Sequence, residues 1–400
     1  MLYCRSLLAG LLGTTLATLS PASMSAEWYG SVSVQARLFE ADAASPMQEE
    51  AYGSLALEPT YVNKWNGGTD LFAFTPFVRL DSADDERSHA DIRELTWVHV
   101  GEIIEWRIGV RKVFWGVTEG VHLVDVVNQT DAVENVDGED KLGQPMINLS
   151  WASDWGTVDL FVLPYFRERT FPGVDGRPRT VLPVAVEEAR YESSDEERHV
   201  DYALRWVHSI GDWDVGLSWF KGTSRDPLLQ VGVDGNGQPA LIPYYAQMEQ
   251  LGIDLQATKG DWLWKLEAID RKTRFDRYTA AAAGFEYTLV GLLDTAADLG
   301  LLMEYLYDER GEGAPTSLQD DLLFGLRWTL NDAQSTEALL GVIVDRGHDG
   351  RLLSIEASRR LGRAWKITLE GRWFIDLPPA DPLYPNRDDD FVQLELARYF

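Results

Sequence analysis

The sequence predicts an all-β fold in which about 18 antiparallel strands close into a transmembrane β-barrel, with about 16 strands as the rival count. Three observations predict it. Apolar and polar residues alternate along many stretches of the chain, tryptophan and tyrosine recur at the ends of these stretches, and the links between them are alternately short and long. A period of two is typical of strands that have one apolar and one polar face.

The composition excludes several classes of protein. The chain has 400 residues, with 36 lysines and arginines against 64 aspartates and glutamates, so its formal net charge is −28 at pH 7. An acidic chain without a basic stripe repels nucleic acid, which is therefore excluded as a partner. Hydrophobic residues make up 45% and aromatic residues 11%, which is too apolar for general disorder. No internal stretch reaches the roughly 18 uncharged apolar residues of a membrane helix.

Residues 1–26 have the pattern of a secretory signal peptide: one cation, an apolar run, then small residues up to Ala26. We expect cleavage near Ser25 or Ala26, which leaves 27–400 as a single domain. An uncleaved anchor helix is the alternative, although the apolar run is short for it. The one cysteine, Cys4, lies in this segment, so we expect a mature chain without disulfides, Cys-ligated zinc or a cysteine nucleophile.

The strand-like alternation is clear around residues 200–206. One face is apolar and the other polar or small, with Val200, Tyr202, Leu204 and Trp206 against Asp201, Ala203 and Arg205. The stretches 213–219 and 365–373 follow the same pattern. A soluble β-sandwich alternates in this way too, so the period alone does not identify the solvent on the apolar face.

Aromatic residues at the strand ends favour a membrane. Nine of them occupy such positions: Trp28, Tyr29, Trp97, Trp106, Trp151, Trp155, Trp213, Trp262 and Trp365. Amphipathic rings at strand ends form the aromatic girdles of membrane barrels at the lipid–water interfaces. We therefore expect these side chains on the lipid-facing surface.

The lengths of the links support the same fold. The predicted strands are 27–40, 49–62, 69–81, 89–100, 104–113, 145–152, 156–166, 198–209, 212–222, 244–258, 261–272, 279–289, 299–308, 319–331, 336–345, 350–360, 363–376 and 389–400. Links after even-numbered strands are mostly tight turns, whereas those after odd-numbered strands include the long, charged segments 114–144, 167–197, 223–243 and 377–388. Short periplasmic turns and long outer loops are the outer-membrane pattern, and an even count returns both termini to the periplasm.

The last strand, FVQLELARYF, ends at Phe400 and carries Val392, Leu394 and Leu396 on one face. It resembles the C-terminal signature of bacterial outer-membrane barrels, with Arg398 as a departure where that signature has an apolar or aromatic residue. The resemblance implies that the barrel assembly machinery is a partner and that Phe400 is the assembly signal.

The long link 114–144 is unusual because its apolar residues recur at helical spacing: Val117, Val121, Val124 and Val127. A loop with an apolar face needs a surface to pack on, and the barrel lumen is the nearest one. It is the third outer loop, which in general porins folds inward and narrows the pore. The alternatives are a helix across the barrel mouth and a contact between subunits.

The same stretch resembles a poorly characterised family of proteobacterial outer-membrane barrels, which carry G-R-x-x-x-x-W-G, an acidic residue and D-x-x-N-x-x-D. The matching positions are Gly109, Arg111, Trp115, Gly116, Glu119, Asp125, Asn128 and Asp131. Val110 between glycine and arginine, and Gln129 where proline is common, depart from the pattern. The match covers about thirty residues and implies an outer-membrane porin-like protein.

Charged residues predict an electric field across the lumen. A basic wall is assigned to inward strand faces, with Arg327 as a further candidate: Arg37, Arg79, Arg93, Arg107, Arg111 and Arg205. The constriction loop opposes it with Trp115, Glu119, Asp125, Asn128, Asp131, Glu134, Asp137, Glu139 and Asp140. Opposed charges in a pore set ion preference and favour polar solutes. The alternative is that these arginines only pair with lumen acids and stiffen the wall.

No cofactor, metal site or catalytic group is predicted. The six histidines lack HExxH spacing, G-x-S-x-G is missing, and the segment around Gly138 fails the EF-hand pattern because Val133 occupies its first position. The acidic pairs at 187–188 and 195–197 could bridge cations to lipopolysaccharide, although a solvated loop explains them as well.

The sequence therefore predicts a channel in the outer membrane of a Gram-negative bacterium, and not an enzyme. The leading hypothesis is passive diffusion of small hydrophilic solutes or ions. The alternatives are a substrate-specific transporter for apolar or carboxylated compounds, a non-conducting barrel that binds a surface partner, and, least favoured, a barrel enzyme. The expected partners are outer-membrane lipid, lipopolysaccharide, the small-molecule solute and, as one assembly to consider, two further copies in a homotrimer.

Overall fold

The computed structural model describes residues 25–43 and 45–400. Most of the predicted signal peptide lies outside the described residues, and its last two positions, Ser25 and Ala26, belong to the first strand. Within the described ranges, no helix is long and apolar enough to cross a membrane.

Eighteen antiparallel strands close into one barrel, which confirms the predicted fold and count and removes the rival of 16. In the chain-order numbering of all strands they are β1 Ser25–Phe39, β2 Ala51–Trp65, β3 Asp70–Asp81, β4 Ala90–Val100, β5 Ile104–Arg111, β6 Gln144–Ser153, β7 Gly156–Leu163, β9 Asp201–Ile210, β10 Trp213–Thr223, β13 Gln247–Lys259, β14 Trp262–Thr273, β15 Arg277–Leu289, β16 Asp298–Asp308, β17 Asp320–Thr329, β18 Glu337–Asp345, β19 Arg351–Leu361, β20 Trp365–Ile375 and β21 Phe391–Tyr399. Each of these strands pairs with the barrel strands that precede and follow it, and no open edge remains in this sheet.

The seam between β1 and β21 closes the barrel. Gly30 donates its backbone N–H to Phe400 O, and Phe400 donates its own to Gly30 O, both at 3.1 Å. Val392, Leu394 and Leu396 share the exposed outer face, as the C-terminal pattern predicts. Arg398, the departure from that pattern, lies with its guanidinium 5.8 Å from the ring centre of Trp365. A cation over a tryptophan face is stabilised, so the arginine is accommodated beside the aromatic girdle.

Two faces alternate around the barrel as the period of two requires. On β1 the outward Val34 and Leu38 are 58% exposed, whereas the inward Gln35 and Arg37 are buried. Eight of the nine predicted girdle aromatics are exposed on the outer surface, at the end of the barrel that carries the short turns, whereas Tyr29 shares the inward face of β1 with Gln35 and Arg37. An outer face of large apolar side chains with an aromatic girdle is the surface of a transmembrane barrel.

The loops are distributed between the two ends nearly as predicted. The outer end carries the long links 112–143, 164–200, 224–246 and 376–390. The links 290–297 and 330–336 at the other end are longer than tight turns, and the outer link 274–276 is short. The link between the predicted strands 319–331 and 336–345 is longer than predicted, because β17 ends at Thr329 and β18 begins at Glu337.

Three short strands lie outside the barrel and form a second sheet over the outer end: β8 Arg190–Tyr191, β11 Leu228–Val233 and β12 Pro239–Tyr245. The β11–β12 pair is a hairpin in which Asp234 accepts the backbone N–H groups of Asn236 and Gln238, and β8 adds in parallel to β12. The remaining regular segments are single 3-10 turns at 66–68, 186–188, 196–198, 292–294, 311–313 and 384–386.

Candidate functional site: the lumen segment 112–143

Residues 112–143, called the lumen segment here, fold into the barrel and cross it. Glu134 binds Arg79 on β3, and the backbone of 117–120 binds Glu267 on β14 and Glu304 on β16. These strands lie on nearly opposite sides of an 18-stranded ring, so the segment spans the lumen. The predicted inward fold of the third outer loop is confirmed.

The helical spacing of valines does not produce a helix, because 112–143 consists of turns and bends. Side chains of the D-x-x-N pattern bind the backbone instead. Asn128 accepts the N–H of Val113 at 2.9 Å and donates to the carbonyl oxygens of Arg111 and Leu142, at 3.0 and 2.8 Å. Asparagine side chains that bind local backbone compete with helix formation. Asn128 therefore fastens the start of the segment to its end.

The apolar side chains of the segment pack on the lumen wall. Trp115, Val124, Val126 and Val127 are buried in one cluster with wall residues of β6, β7, β9, β10, β13, β14 and β15. The fit is close, since a Cβ added at Gly252 on β13 would lie 3.0 Å from Val124. This half of the lumen is filled with side chains.

Buried ion pairs hold one end of the segment. Arg79 binds Glu134 through two nitrogens at 2.6–3.0 Å, and Arg93 lies 2.7 Å from Asp131. The interruption of strand pairing between β3 and β4 leaves Arg93 without a cross-strand partner, and a bulge of this kind can re-aim a side chain inward. Burial tends to raise the pKa of Asp131, but His89 and Arg93 outweigh it and lower the pKa to about 2.

Two strand carboxylates, which sequence analysis did not identify, hold the other half of the segment. Glu267 accepts the backbone N–H of Val117 at 2.7 Å and that of Thr118 at 3.0 Å, and Glu304 accepts those of Glu119 and Gly120 at 2.8 Å. Both carboxylates are fully buried. The predicted polarity of basic wall against acidic loop is therefore reversed here.

The W-G pair of the family pattern has a local structural role. Gly116 has φ +116°, and a Cβ added there would lie 2.6 Å from Glu267 Oε1. Glycine tolerates both the backbone conformation and this approach. Trp115 packs edge-on against Phe161 at 5.6 Å, with the guanidinium of Arg205 5.1 Å from its ring.

The predicted basic wall divides into two groups. Arg37, Arg79, Arg93 and Arg205 contact the segment: Arg37 through Glu134 O, Arg205 through Trp115, the other two through carboxylates. Among the described residues, Arg107 and Arg111 form no ion pair with the segment. Both bind Asn148, and Arg107 also pairs with Glu105. The predicted field across the constriction therefore does not include these two arginines. They share the inward face with the other arginines but bind partners on the wall below the segment.

Arginines on later strands also contact the segment. Arg327 on β17 lies 2.7 Å from Glu119, and Arg372 on β20 lies 3.0 Å from Asp137. Arg327 was a predicted candidate, and Arg372 was missed, although both lie at inward positions of alternating strands. Asp125 pairs within the segment, with Lys141 at 3.4 Å.

The acidic tip of the segment has shifted protonation equilibria. Burial and neighbouring carboxylates raise the pKa of Asp137 to about 6 and that of Asp140 to about 7, although Arg372 and Arg93 partly oppose the shifts. The carboxylates of Glu139, 3.1 Å from Nε2, and of Glu267, 3.8 Å from Nδ1, raise the pKa of His122 to about 10. At neutral pH, His122 is therefore a cation that binds the tip to β14.

The segment makes no polar contact with one part of the described wall. In the described chain, no hydrogen bond or ion pair joins it to β18 or β19. The inward positions at mid-strand are small, with Gly341 opposite Ser354 and Gly325 in the strand register, whereas Leu339 and Ile343 flank Gly341 on the same face. A Cβ built at Gly341 has only atoms of Ser354 and Leu323 within 4 Å.

Most charges around this part of the wall are more exposed than those at the buried end, although the Arg372 side chain is only 5% exposed. The side chains of Glu356 and Arg327 are 49% and 35% exposed, against 6% and 7% for Arg79 and Glu134. We call the gap between the lumen segment and β17–β20 the eyelet. Its rim consists of Glu119, Asp137, Arg327, Glu356 and Arg372.

One group of side chains has the composition of a metal site. Ligand atoms of His89, Asp131 and Glu134 lie within 4.8 Å of one another. Both carboxylates already pair with Arg79 and Arg93, whose positive charges oppose the binding of a further cation. The arrangement is better described as an ion-pair network that anchors the segment.

No family model matches the chain, and no curated protein matches it. Solved structures with a similar fold include OmpT of Vibrio cholerae with loop L8 deleted, at 9% identity and a TM-score of 0.48, and a mutant of the Rh. blastica porin, at 12% identity and a TM-score of 0.43. Each likeness covers 94% of this chain and 100% of the other. At these identities the likeness concerns the fold alone.

Proposed function

We propose that the protein is an outer-membrane porin-like channel that admits small hydrophilic solutes or ions by passive diffusion through the eyelet. The observation that carries this proposal is the uneven contact of the lumen segment with the wall. It is bound to β3 and β14 but forms no hydrogen bond or ion pair with β18 or β19 among the described residues, and a Cβ built at Gly341 meets only wall atoms, of Ser354 and Leu323. A barrel of this size is too wide for its own side chains to fill, so an uncovered wall provides a passage.

The eyelet has the chemistry of a polar passage. Arg327 contacts Glu119 and Glu286, and Arg372 contacts Asp137 and Glu356, so charges of both signs alternate around it. Such a rim favours polar solutes over apolar ones. Carboxylates outnumber cations there, which supports a modest preference for cations. Each exposed pair is screened by salt and contributes little to stability.

The location follows from the surface. The apolar outer face and aromatic girdle fit a bilayer, the leader pattern implies export, and the strand ending at Phe400 implies the assembly machinery of the outer membrane. Outer-membrane lipid and lipopolysaccharide then surround the barrel. We include a homotrimer in the proposal, to be tested by native mass spectrometry in detergent.

Single-channel conductance of the refolded mature protein in planar bilayers tests the proposal. Gly341→Trp places a large ring in the eyelet, and we expect it to reduce the conductance severalfold. Leu340→Trp is the matched control, because the neighbouring Leu340 faces the outer surface. Ser354→Trp repeats the test from β19.

Two results would contradict the proposed passage. Equal conductance in Gly341→Trp and wild type would place the passage elsewhere. Silence of the intact protein, with current only after deletion of 117–140, would identify a plugged barrel, and a surface partner would then become the leading function.

A further inference from the structure

A cavity of about 720 Å³ opens above the lumen segment on the outer side. We call it the outer vestibule. Its lining includes Leu123 and Glu139 of the segment and Arg169, Asp226, Tyr278 and Arg310 of the wall and outer loops. The volume suits a compound of drug-like or smaller size, since ligand sites span about 300–1,000 Å³.

The vestibule contains one carboxylate shared by two arginines. Arg169 Nη2 and Arg271 Nη1 each lie 2.8 Å from an oxygen of Asp226. The Asp226 side chain is 55% exposed, so its carboxylate faces the cavity water, whereas the Arg271 side chain is only 12% exposed. Two guanidinium groups on one carboxylate leave a local excess of one positive charge.

A third arginine offers a hydrogen-bond donor but no further excess charge. Arg225 also lines the cavity and pairs with Asp201, which lies outside the lining. Its side chain is 5% exposed, and its Nη2 is buried without a hydrogen-bond partner among the described residues. A buried donor without a partner is a position where an additional acceptor is stabilising.

Apolar surface lies beside these arginines. Tyr278 is buried, with the guanidinium of Arg310 3.4 Å and that of Arg271 5.9 Å from its ring centre. Ile269 and Leu228 line the same wall. An organic body can pack on this surface while an attached anion reaches Arg271.

The acids of the vestibule do not cancel the local excess. Glu139 pairs with His122, Asp125 with Lys141 and Asp137 with Arg372, while Asp308 and Asp276 share Arg310, at 2.7 and 3.6 Å. The lining as a whole is close to neutral, so the cavity has no general attraction for polyanions. Its positive charge is concentrated at Arg169, Asp226 and Arg271.

We propose that the outer vestibule binds a small monocarboxylate with an apolar or aromatic body. Its carboxylate takes the place of the Asp226 carboxylate between Arg169 and Arg271, and its body lies against Tyr278, Ile269 and Leu228. This inference rests on the proposed function and deepens it, because it names a class of solute that binds outside the eyelet.

Benzoate, benzyl alcohol and acetate are the probes, added to the refolded mature protein in detergent. Binding is measured by calorimetry and by saturation-transfer NMR, neither of which requires a conducting pore. We expect benzoate to bind more tightly than the two others, because only benzoate combines the charge with the ring.

Three variants test the residues. Arg271→Gln weakens benzoate binding about ten-fold, since a charge-assisted hydrogen bond is lost. Asp226→Asn strengthens it severalfold, because the resident anion no longer competes. Arg346→Gln is the control, since Arg346 belongs to another outer loop, pairs with Asp320 and is absent from the vestibule lining.

The results separate this inference from the proposed function. Equal binding of benzoate and benzyl alcohol, or unchanged binding in Asp226→Asn and Arg271→Gln, would overturn the inference. Benzoate binding by a barrel that conducts no current would contradict the channel and leave the binding site standing. Should Arg271→Gln fail to fold, Asp226→Asn still decides, because its expected effect is a gain.

Discussion

The two ends of the lumen segment are both held by arginine–carboxylate pairs, but they differ in exposure. At the β3–β4 end, Arg79 and Glu134 are almost completely buried. At the eyelet, Arg327 and Glu119 are 35% and 26% exposed. Breaking a buried pair leaves an unpaired charge without water, whereas an exposed pair is replaced by hydration. The same chemistry therefore anchors the segment at one end and lines a passage at the other.

We expect the largest effect of a substitution at the buried end of the segment. Glu134→Ala leaves Arg79 without its carboxylate, and we expect a loss of about 3 kcal/mol in the free energy of unfolding. Urea denaturation in lipid vesicles measures it. Glu356→Ala at the eyelet is the matched control, with an expected loss of about 0.5 kcal/mol. Similar losses in the two variants would contradict the assigned roles.

The next effect is expected at the carboxylate that holds the backbone of the segment. Glu304→Gln removes a charged acceptor from the N–H groups of Glu119 and Gly120, which we expect to destabilise the segment by about 2 kcal/mol. Larger current fluctuations in bilayers would accompany it. The control is Glu309→Gln, because Glu309 also accepts a backbone N–H, that of Thr279, but on the outer rim. Current fluctuations that stay unchanged in both variants would argue against a role of Glu304 in holding the segment.

A smaller effect is expected on the ion selectivity of the two regions. Arg372→Gln removes a cation from the eyelet, so the reversal potential under a salt gradient should shift toward cations. The double variant Arg107→Ala and Arg111→Ala, whose partners lie outside the segment, should shift it less. A larger shift of the reversal potential in the double variant than in Arg372→Gln would place the narrowest charged region of the lumen at β5.

The smallest effect is a pH dependence. A carboxyl with a raised folded-state pKa stays protonated to higher pH, so Asp137 and Asp140 become charged as pH rises through about 6 and about 7. Cation selectivity should therefore increase from about pH 5 to about pH 8. Stability should decrease from about pH 4 to about pH 7, between the unfolded-state and folded-state pKa values, because charging is easier in the unfolded chain. Replacing both residues by asparagine should flatten the two profiles. A step that persists in this variant would exclude these carboxyls as its cause.

Much of the fold was predictable because lipid imposes the same requirement on every strand. Each crossing must present apolar residues outward, so the period of two marks all eighteen strands, and eight of the nine aromatics mark one interface. The loop strands β8, β11 and β12 escape this requirement, since they pair with one another outside the bilayer. The link 330–336 is longer than predicted, although Leu330 still donates its backbone N–H to Thr336 O at 2.9 Å.

The site was predictable only in part. Sequence identifies which side chains point inward, so Arg79 and Arg93 were found, but it does not give the height at which a side chain meets the segment. Arg107 and Arg111 were misassigned for this reason. Glu267 and Glu304 were missed because their partners are backbone N–H groups, which have no residue-type signature. The valine spacing suggested a helix, whereas the side chain of Asn128 imposes turns.

The seam between the first and last strands has a consequence for the order of assembly. The lumen segment precedes β14, β16, β17 and β20 in the chain, yet its contacts with Glu267, Glu304, Arg327 and Arg372 belong to them. Its placement is therefore complete only when the late strands have joined and Phe400 meets Gly30. A chain cut before β20 would leave Asp137 without Arg372, so the contacts of the segment record whether the ring has closed.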